Sequence, residues 1–243
     1  MSAKPRPAFY ALETGGWRDY VTVLHPPYTL WHLSYVAIGA GLAPHVETRR
    51  LLAALAAFFL AVGIGAHALD ELNGRPLQTK ISDRVLVVLA TGSIGGAVAI
   101  GVYASLNYTA WLAPLVALGA FIVCAYNLEL AGGRFHSDWW FAVAWGSFPL
   151  LAAYLVVAER ITVEALLAAA FAAFLSLAQR HLSTQVRTMR RRVASVEGTI
   201  ELLDGSRVPV TAKTLTAAPE AALRALTVAV TTLAAAVLVF RLT

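Results

Sequence analysis

A histidine, two carboxylates and two cations lie close together between residues 67 and 82: His67, Asp70 and Glu71, then Arg75 and Lys80. His67, Asp70 and Glu71 fall at i, i+3 and i+4, a spacing that puts three side chains on one helical face. Two carboxylates on a face suit Mg²⁺, a hard cation that takes oxygen ligands. An imidazole beside them admits a softer metal, or a proton transfer. Arg75 and Lys80 follow in a loop with Gly74 and Pro76, where a guanidinium fork and an ammonium would suit phosphate oxygens. The plainer reading of the same residues is a helix end carrying ordinary interfacial charges.

Two further polar clusters close apolar segments. Tyr126, Asn127 and Glu129 end one of them, and Arg180, Ser183, Thr184 and Arg187 end another. The last four recur at i, i+3, i+4 and i+7 and share a helical face. Two guanidinium groups and two hydroxyls on one face suit a phosphate or an anionic headgroup. Positive charge beside a span also has a purely topological use, and Trp139-Trp140 reads as an interfacial aromatic belt.

The elements that must position these clusters are apolar runs. Of the 243 residues, 58% are hydrophobic and 14% charged, and mean hydropathy is +0.67. A soluble domain of this size would be nearer a quarter charged, with amphipathic stripes instead of unbroken runs. Seven runs approach the length needed to cross a bilayer: Tyr28 to Ala43, Leu51 to Leu69, Val85 to Leu106, Trp111 to Leu130, Trp139 to Val157, Val163 to Ala178 and Ala221 to Leu242. Isolated strands cannot satisfy their backbone in lipid, and the alternating pattern of a barrel is absent, so each run is expected to be a helix. The expected fold is an all-α polytopic bundle of about seven spans in one integral membrane domain. Residues 1–27 form an N-terminal segment, 28–178 six spans, 179–220 a basic interfacial segment and 221–242 the last span. Met1 to Leu24 lacks the continuous apolar core of a cleavable signal, so the first span is expected to direct insertion. The single cysteine, Cys124, excludes an intrachain disulfide and reads as a small buried apolar residue.

Lysine and arginine set the expected orientation. With the N-terminus in the cytoplasm, the inner segments carry Lys4, Arg6, Arg18, Arg75, Lys80, Arg84, Arg134 and the basic stretch from Arg180 to Arg224; only Arg49, Arg50, Arg160 and Arg241 fall outside. The C-terminus is then outside, and all three polar clusters face the cytoplasm. The formal charge of +5 fits topology and membrane lipids, not nucleic acid, because the basic residues flank spans. Within 179–220, Asp204-Gly205 separates two β-prone runs and predicts a small cytosolic hairpin near 199–211, with Pro209 at an edge. Ala217-Ala218-Pro219-Glu220 is expected to open the last helix, with Pro and an acid in its first turn. Arg187 to Arg192 is expected to be helical and interfacial. Glycines within the runs, Gly39 and Gly63 among them, would allow close helix approach or line a groove for a lipid tail.

Several short stretches occur in a telling order: His25-Pro26-Pro27-Tyr28-Thr29-Leu30 leading to Gly39-Ala40-Gly41-Leu42-Ala43, then Arg75-Pro76-Leu77 ending in Ile81-Ser82, then Ala125-Tyr126-Asn127, then Asp138 through Gly146. Together, over roughly residues 25 to 160, they resemble the UbiA superfamily of intramembrane prenyltransferases. The chain departs from that family's pattern in three places. In its first aspartate motif only the central position survives, as Asp70; His67 stands where a carboxylate is expected and Gly74 where the motif closes. The second aspartate motif should follow the sixth span, where Arg180 to Arg192 holds no carboxylate. The family usually has nine helices, against seven runs here.

The resemblance implies transfer or cyclisation of an isoprenoid from a prenyl diphosphate, which family members hold through Mg²⁺ between two acidic clusters. On this reading Asp70, Glu71 and His67 would coordinate a metal or steer a proton. Arg75, Lys80, Arg180 and Arg187 would hold diphosphate, the arginines replacing part of the metal's charge, and Tyr126 and Asn127 would border the allylic tail. The alternative is a non-catalytic UbiA-like protein that binds a lipid or quinone or scaffolds a partner. A transporter is disfavoured for want of midplane charges and broken helices. A retinal protein is disfavoured because the last run has no lysine.

Overall fold

The computed structural model describes residues 6–243 and is mostly helical; Lys4 lies outside the described residues. A short helix α1 (Trp17–Val23) leads into α2 (Pro26–Leu42). Then come α3 (Thr48–Leu72), α4 (Asp83–Asn107), α5 (Leu112–Asn127), α6 (Asp138–Ala158) and α7 (Val163–Arg191). A hairpin of β1 (Thr199–Glu201) and β2 (Arg207–Pro209) precedes the last helix, α8 (Ala212–Leu242).

Each of the seven apolar runs is a helix. Five of them, α3, α4, α6, α7 and α8, are long and apolar enough to cross a membrane, and the chain is a helical membrane protein. The other two are shorter: α2 has 17 residues and α5 has 16. At ~1.5 Å per residue each reaches about 25 Å, less than a ~30 Å hydrocarbon core.

α2 is apolar all round and is the axis of the bundle, as such a helix must be if it is to hide every face. Trp31, Tyr35 and Ile38 are buried against α6, α7 and α8, and Val36 against α3, α4, α5 and α6. The polar atoms of this core are paired: Trp31 Nε1 donates to the Tyr35 hydroxyl at 2.6 Å, and Ser176 Oγ to the same oxygen at 3.1 Å. Glycine sets two of the crossings. A Cβ on Gly39 would collide with the Leu150 carbonyl, and one on Gly146 would sit 2.5 Å from that of Ala172. Peripheral helices instead turn Leu106, Leu167, Phe174, Val228 and Phe240 outward, a surface suited to acyl chains.

Two helices contain π-helical stretches, Phe59–Ala66 in α3 and Val143–Ser147 in α6. Such insertions are often found at functional sites. The first ends directly before His67.

The hairpin forms where Asp204-Gly205 predicts it. Gly205 takes φ 80, Ser206 N donates to Asp204 Oδ1 at 2.9 Å, and Thr199 pairs with Pro209 in register. The last helix corrects the expectation. It does not open at Ala217 but at Ala212, where Thr211 and Thr214 form a reciprocal capping box. Pro219 is therefore interior and buried. Its missing N–H would leave the Leu215 carbonyl unpaired, and Gln185 Nε2 of α7 reaches that oxygen at 3.4 Å. The basic stretch is helical as expected, since α7 runs unbroken to Arg191.

The two ends of the bundle differ. At one, Arg50 pairs with Glu159 at 2.6 Å and Arg241 donates to the carbonyls of Ala43 and Pro44. At the other, the polar clusters of α3, α5 and α7 come together.

Candidate functional site

A cavity of about 520 Å³ opens at that second end. His25, Tyr28 and His32 line it from the start of α2, and His67 and Asp70 from the end of α3. Tyr126 and Asn127 come from α5, Phe141 and Trp145 from α6, and Gln179, Arg180, Ser183, Thr184, Arg187 and Arg191 from α7. Residues 7–10 close one side. Arg191 Nε donates to the Pro7 carbonyl at 3.2 Å and Arg190 Nη1 to that of Arg6 at 3.2 Å, while the Arg224 guanidinium lies 5.1 Å over the Phe9 ring.

Of the residues singled out from sequence, the cavity brings together His67, Asp70, Tyr126, Asn127, Arg180 and Arg187. It leaves out Glu71, Arg75 and Lys80, and each has other business. Glu71 is fully buried and folds the loop after α3 around itself: Oε1 accepts from Thr79 N and Oγ1 at 2.8 Å, and Oε2 from Leu77 N at 2.9 Å. Arg75 ties the same loop shut, donating to the Ile81 carbonyl at 2.6 Å and pairing with Asp83. Lys80 is exposed, and its backbone N–H binds buried Asp19 at 2.8 Å, fastening the loop to α1.

Asp70 and Glu71 consequently do not share a centre. Asp70 lines the cavity, and among the described residues its carboxylate has no hydrogen bond or ion pair; Glu71 faces the loop with both oxygens occupied. Glu129 lines the cavity margin with its side chain largely in solvent. Among the described residues no group of three His, Cys, Asp or Glu side chains is arranged to hold a metal ion. This donor set does not fit the pair of acidic clusters that the family resemblance implies for Mg²⁺.

The arginines are unequal. Arg180 is committed: Nε donates to Asp138 at 3.0 Å, Nη1 to the Tyr126 hydroxyl at 2.8 Å and Nη2 to the His136 carbonyl at 3.4 Å. Arg187 has only Thr184 Oγ1, at 3.1 Å, among the described residues. Arg191 makes its one bond through Nε. Arg187 and Arg191 therefore keep spare donors beside a cavity that holds little negative charge, and such donors bind phosphate or carboxylate oxygens strongly.

The imidazoles of His25 and His67 stack at 4.0 Å with 10° between their planes. Burial, and then the facing His67, Arg191 and Arg187, hold His25 well below its ordinary value of 6.5, so it is neutral. Among the described residues two buried polar atoms of cavity-lining side chains have no partner, His25 Nε2 and Gln179 Oε1.

A separate apolar groove lies beside this cavity, between α3, α4, α5 and α6. Ala57, Ala61, Ile94, Ala97, Leu115 and Ala120 are among its walls, and Val62 and Trp145 belong to both spaces.

Sequence reasoning passed over Tyr10, His25, His32, Gln179 and Arg191. Arg191 was within reach, lying one turn beyond Arg187 on a face already identified. His25, just before the first apolar run, and His32 within it carry no signal of their own until the bundle closes around them. Comparison with protein-family models, curated proteins and solved structures returns no match.

Proposed function

We propose that this protein is a UbiA-like intramembrane enzyme that takes an isoprenoid diphosphate and transfers or cyclises its isoprenoid group. The observation that carries the reading is a pair of adjacent spaces: a polar cavity edged by arginine and a groove with almost only apolar walls share Val62 and Trp145 as lining residues. An amphipathic substrate needs that combination, a charged head and a hydrocarbon tail at membrane depth. Arg187 and Arg191 hold the diphosphate directly, as guanidinium groups can without a metal. Tyr126, fixed by Arg180, and Asn127 border the first carbons of the tail.

The same reading puts seven spans in the membrane. α2 is enclosed by protein and is not held to the thickness of lipid, and α5 is short where it ends at the cavity. With the N-terminus inside, the cavity faces the cytoplasm, where soluble diphosphates and acceptors are found. A second reading, a non-catalytic lipid or quinone carrier, draws on the absence of paired carboxylates in the cavity. Purified protein in lipid nanodiscs, given labelled allylic diphosphates of several chain lengths with Mg²⁺ or with a chelator, separates the two. Release of diphosphate under both conditions supports the enzyme. Binding without release at any chain length supports the carrier.

A further inference from the structure

We infer that His25 is the proton acceptor of this site, with Tyr10 positioning it and His67 stacked against it, an inference that rests on the isoprenoid diphosphate reading above. His25 caps α2 with φ 45 and ψ 58, ahead of two prolines. A left-handed conformation costs a non-glycine residue about 1 kcal/mol or more, and such strain gathers at functional positions. Its ring is 8% exposed. Nδ1 lies 2.9 Å from the Tyr10 hydroxyl, and Nε2, buried in a cavity-lining residue, has no hydrogen-bond partner among the described residues. An unpaired buried polar atom is costly, and a small turn of the ring toward the cavity it lines would let a ligand there pair it.

In this role His25 takes the tautomer in which Nδ1–H donates to the Tyr10 hydroxyl. His67 Nδ1 donates to the Gly63 carbonyl at 3.2 Å, since a carbonyl only accepts, and the Leu24 carbonyl also contacts this ring. With Nδ1–H of His25 given to the Tyr10 oxygen, its Nε2 is bare. The charged groups facing His25 are Arg187 and Arg191, and its other ring neighbours are His67, Tyr10 and Tyr28. Burial, then His67, Arg191 and Arg187, favour a neutral imidazole before the reaction.

A neutral base is what the chemistry requires. The bond between C1 and the diphosphate oxygen breaks, and its electron pair leaves on diphosphate, held by Arg187 and Arg191. As that bond breaks, a lone pair of the acceptor forms the new bond to C1 and Nε2 takes the acceptor's proton in the same step, so that loss of the base slows diphosphate release. The proton's transfer leaves an imidazolium. Water serves as acceptor when no other is present and gives a prenol. Loss of a C–H proton from the cation to the same nitrogen gives a polyene.

The test uses the full chain in nanodiscs, farnesyl diphosphate as the probe and water as the acceptor, and it measures binding and diphosphate release separately. His25→Gln should bind within about twofold of the parent and release diphosphate some 10²–10³-fold more slowly, the usual range for a lost general base. Tyr10→Phe should bind normally, slow release about tenfold and move the limb of the pH–rate profile that His25 sets, which a merely structural tyrosine would not do. Release at the parental rate by His25→Gln overturns the assignment, and so does a parent protein that binds and never releases. If His25→Gln fails to fold, an unmoved pH profile in Tyr10→Phe overturns it instead. A parent protein that does not bind farnesyl diphosphate contradicts the substrate reading rather than the role of the histidine.

Discussion

Arg180 of α7 donates from Nη1 to the Tyr126 hydroxyl of α5 at 2.8 Å, across the floor of the cavity. Its Nε is meanwhile paired with Asp138 at the start of α6. One guanidinium thus joins three helices. It is a strut, and the free anion-binding capacity lies two and three turns on, at Arg187 and Arg191.

That division predicts different consequences for three arginines. Arg187→Gln and Arg191→Gln should leave thermal stability nearly unchanged and weaken pyrophosphate binding by about tenfold or more each, because a hydrogen bond to a charged group contributes about 1.5–3 kcal/mol. Arg180→Gln should lower the unfolding midpoint, since it strands the Asp138 carboxylate and the Tyr126 hydroxyl. Titration calorimetry with pyrophosphate and a thermal shift assay on the same preparations measure both effects.

Glu71 is expected to matter through the loop after α3. Glu71→Gln removes the charge that organises Leu77 and Thr79, a loss of about 2 kcal/mol for a buried charged acceptor. Hydrogen exchange of residues 74–82 should accelerate while the α7 side of the cavity stays protected. Unchanged exchange in that loop would place Glu71 elsewhere.

Acid should destabilise the protein through His25. Its folded-state value is depressed below the ordinary 6.5 by burial and the facing cations. Below about pH 6.5 the unfolded chain binds a proton that the folded chain refuses, so stability falls as pH falls, by up to ~1.4 kcal/mol per pH unit, until the folded-state value is reached. Unfolding of the detergent-solubilised protein between pH 5 and 7.5 measures the slope, and His25→Gln should reduce it by one proton equivalent.

The apolar groove predicts a chain-length effect. Ala97→Phe and Ala120→Phe fill its walls, and affinity for farnesyl diphosphate should fall about tenfold or more, given ~0.8 kcal/mol for each CH₂ left unburied. Affinity for dimethylallyl diphosphate, whose tail ends near the cavity, should hold. Equal losses for both would mean the groove takes no tail.

Much of this architecture is legible in the sequence because lipid imposes simple rules. Seven apolar runs give seven helices, and Asp204-Gly205 gives the hairpin. The Arg180, Ser183, Thr184 and Arg187 face is real because one helical period governs it. Other features depend on contacts between distant segments. His67, Asp70 and Glu71 share a helix end, yet the loop that returns through Leu77 and Thr79 captures Glu71 and leaves its neighbour in the cavity. Pro219 reads as a helix start because nothing local reveals that Gln185 of α7 supplies the partner for the Leu215 carbonyl. His25 and His67 are 42 positions apart in sequence and stacked only once α2 meets α3.

The most direct test of a two-part site for an isoprenoid diphosphate is equilibrium binding to the protein in nanodiscs, in excess chelator, of three probes: farnesyl diphosphate, pyrophosphate and farnesol. Farnesyl diphosphate should bind at least about a hundredfold more tightly than either half, since head and tail contributions combine in one molecule. Arg187→Gln with Arg191→Gln should remove most of that advantage. Farnesyl diphosphate binding no better than farnesol, or only when Mg²⁺ is restored, would contradict an arginine-held head beside an apolar tail groove.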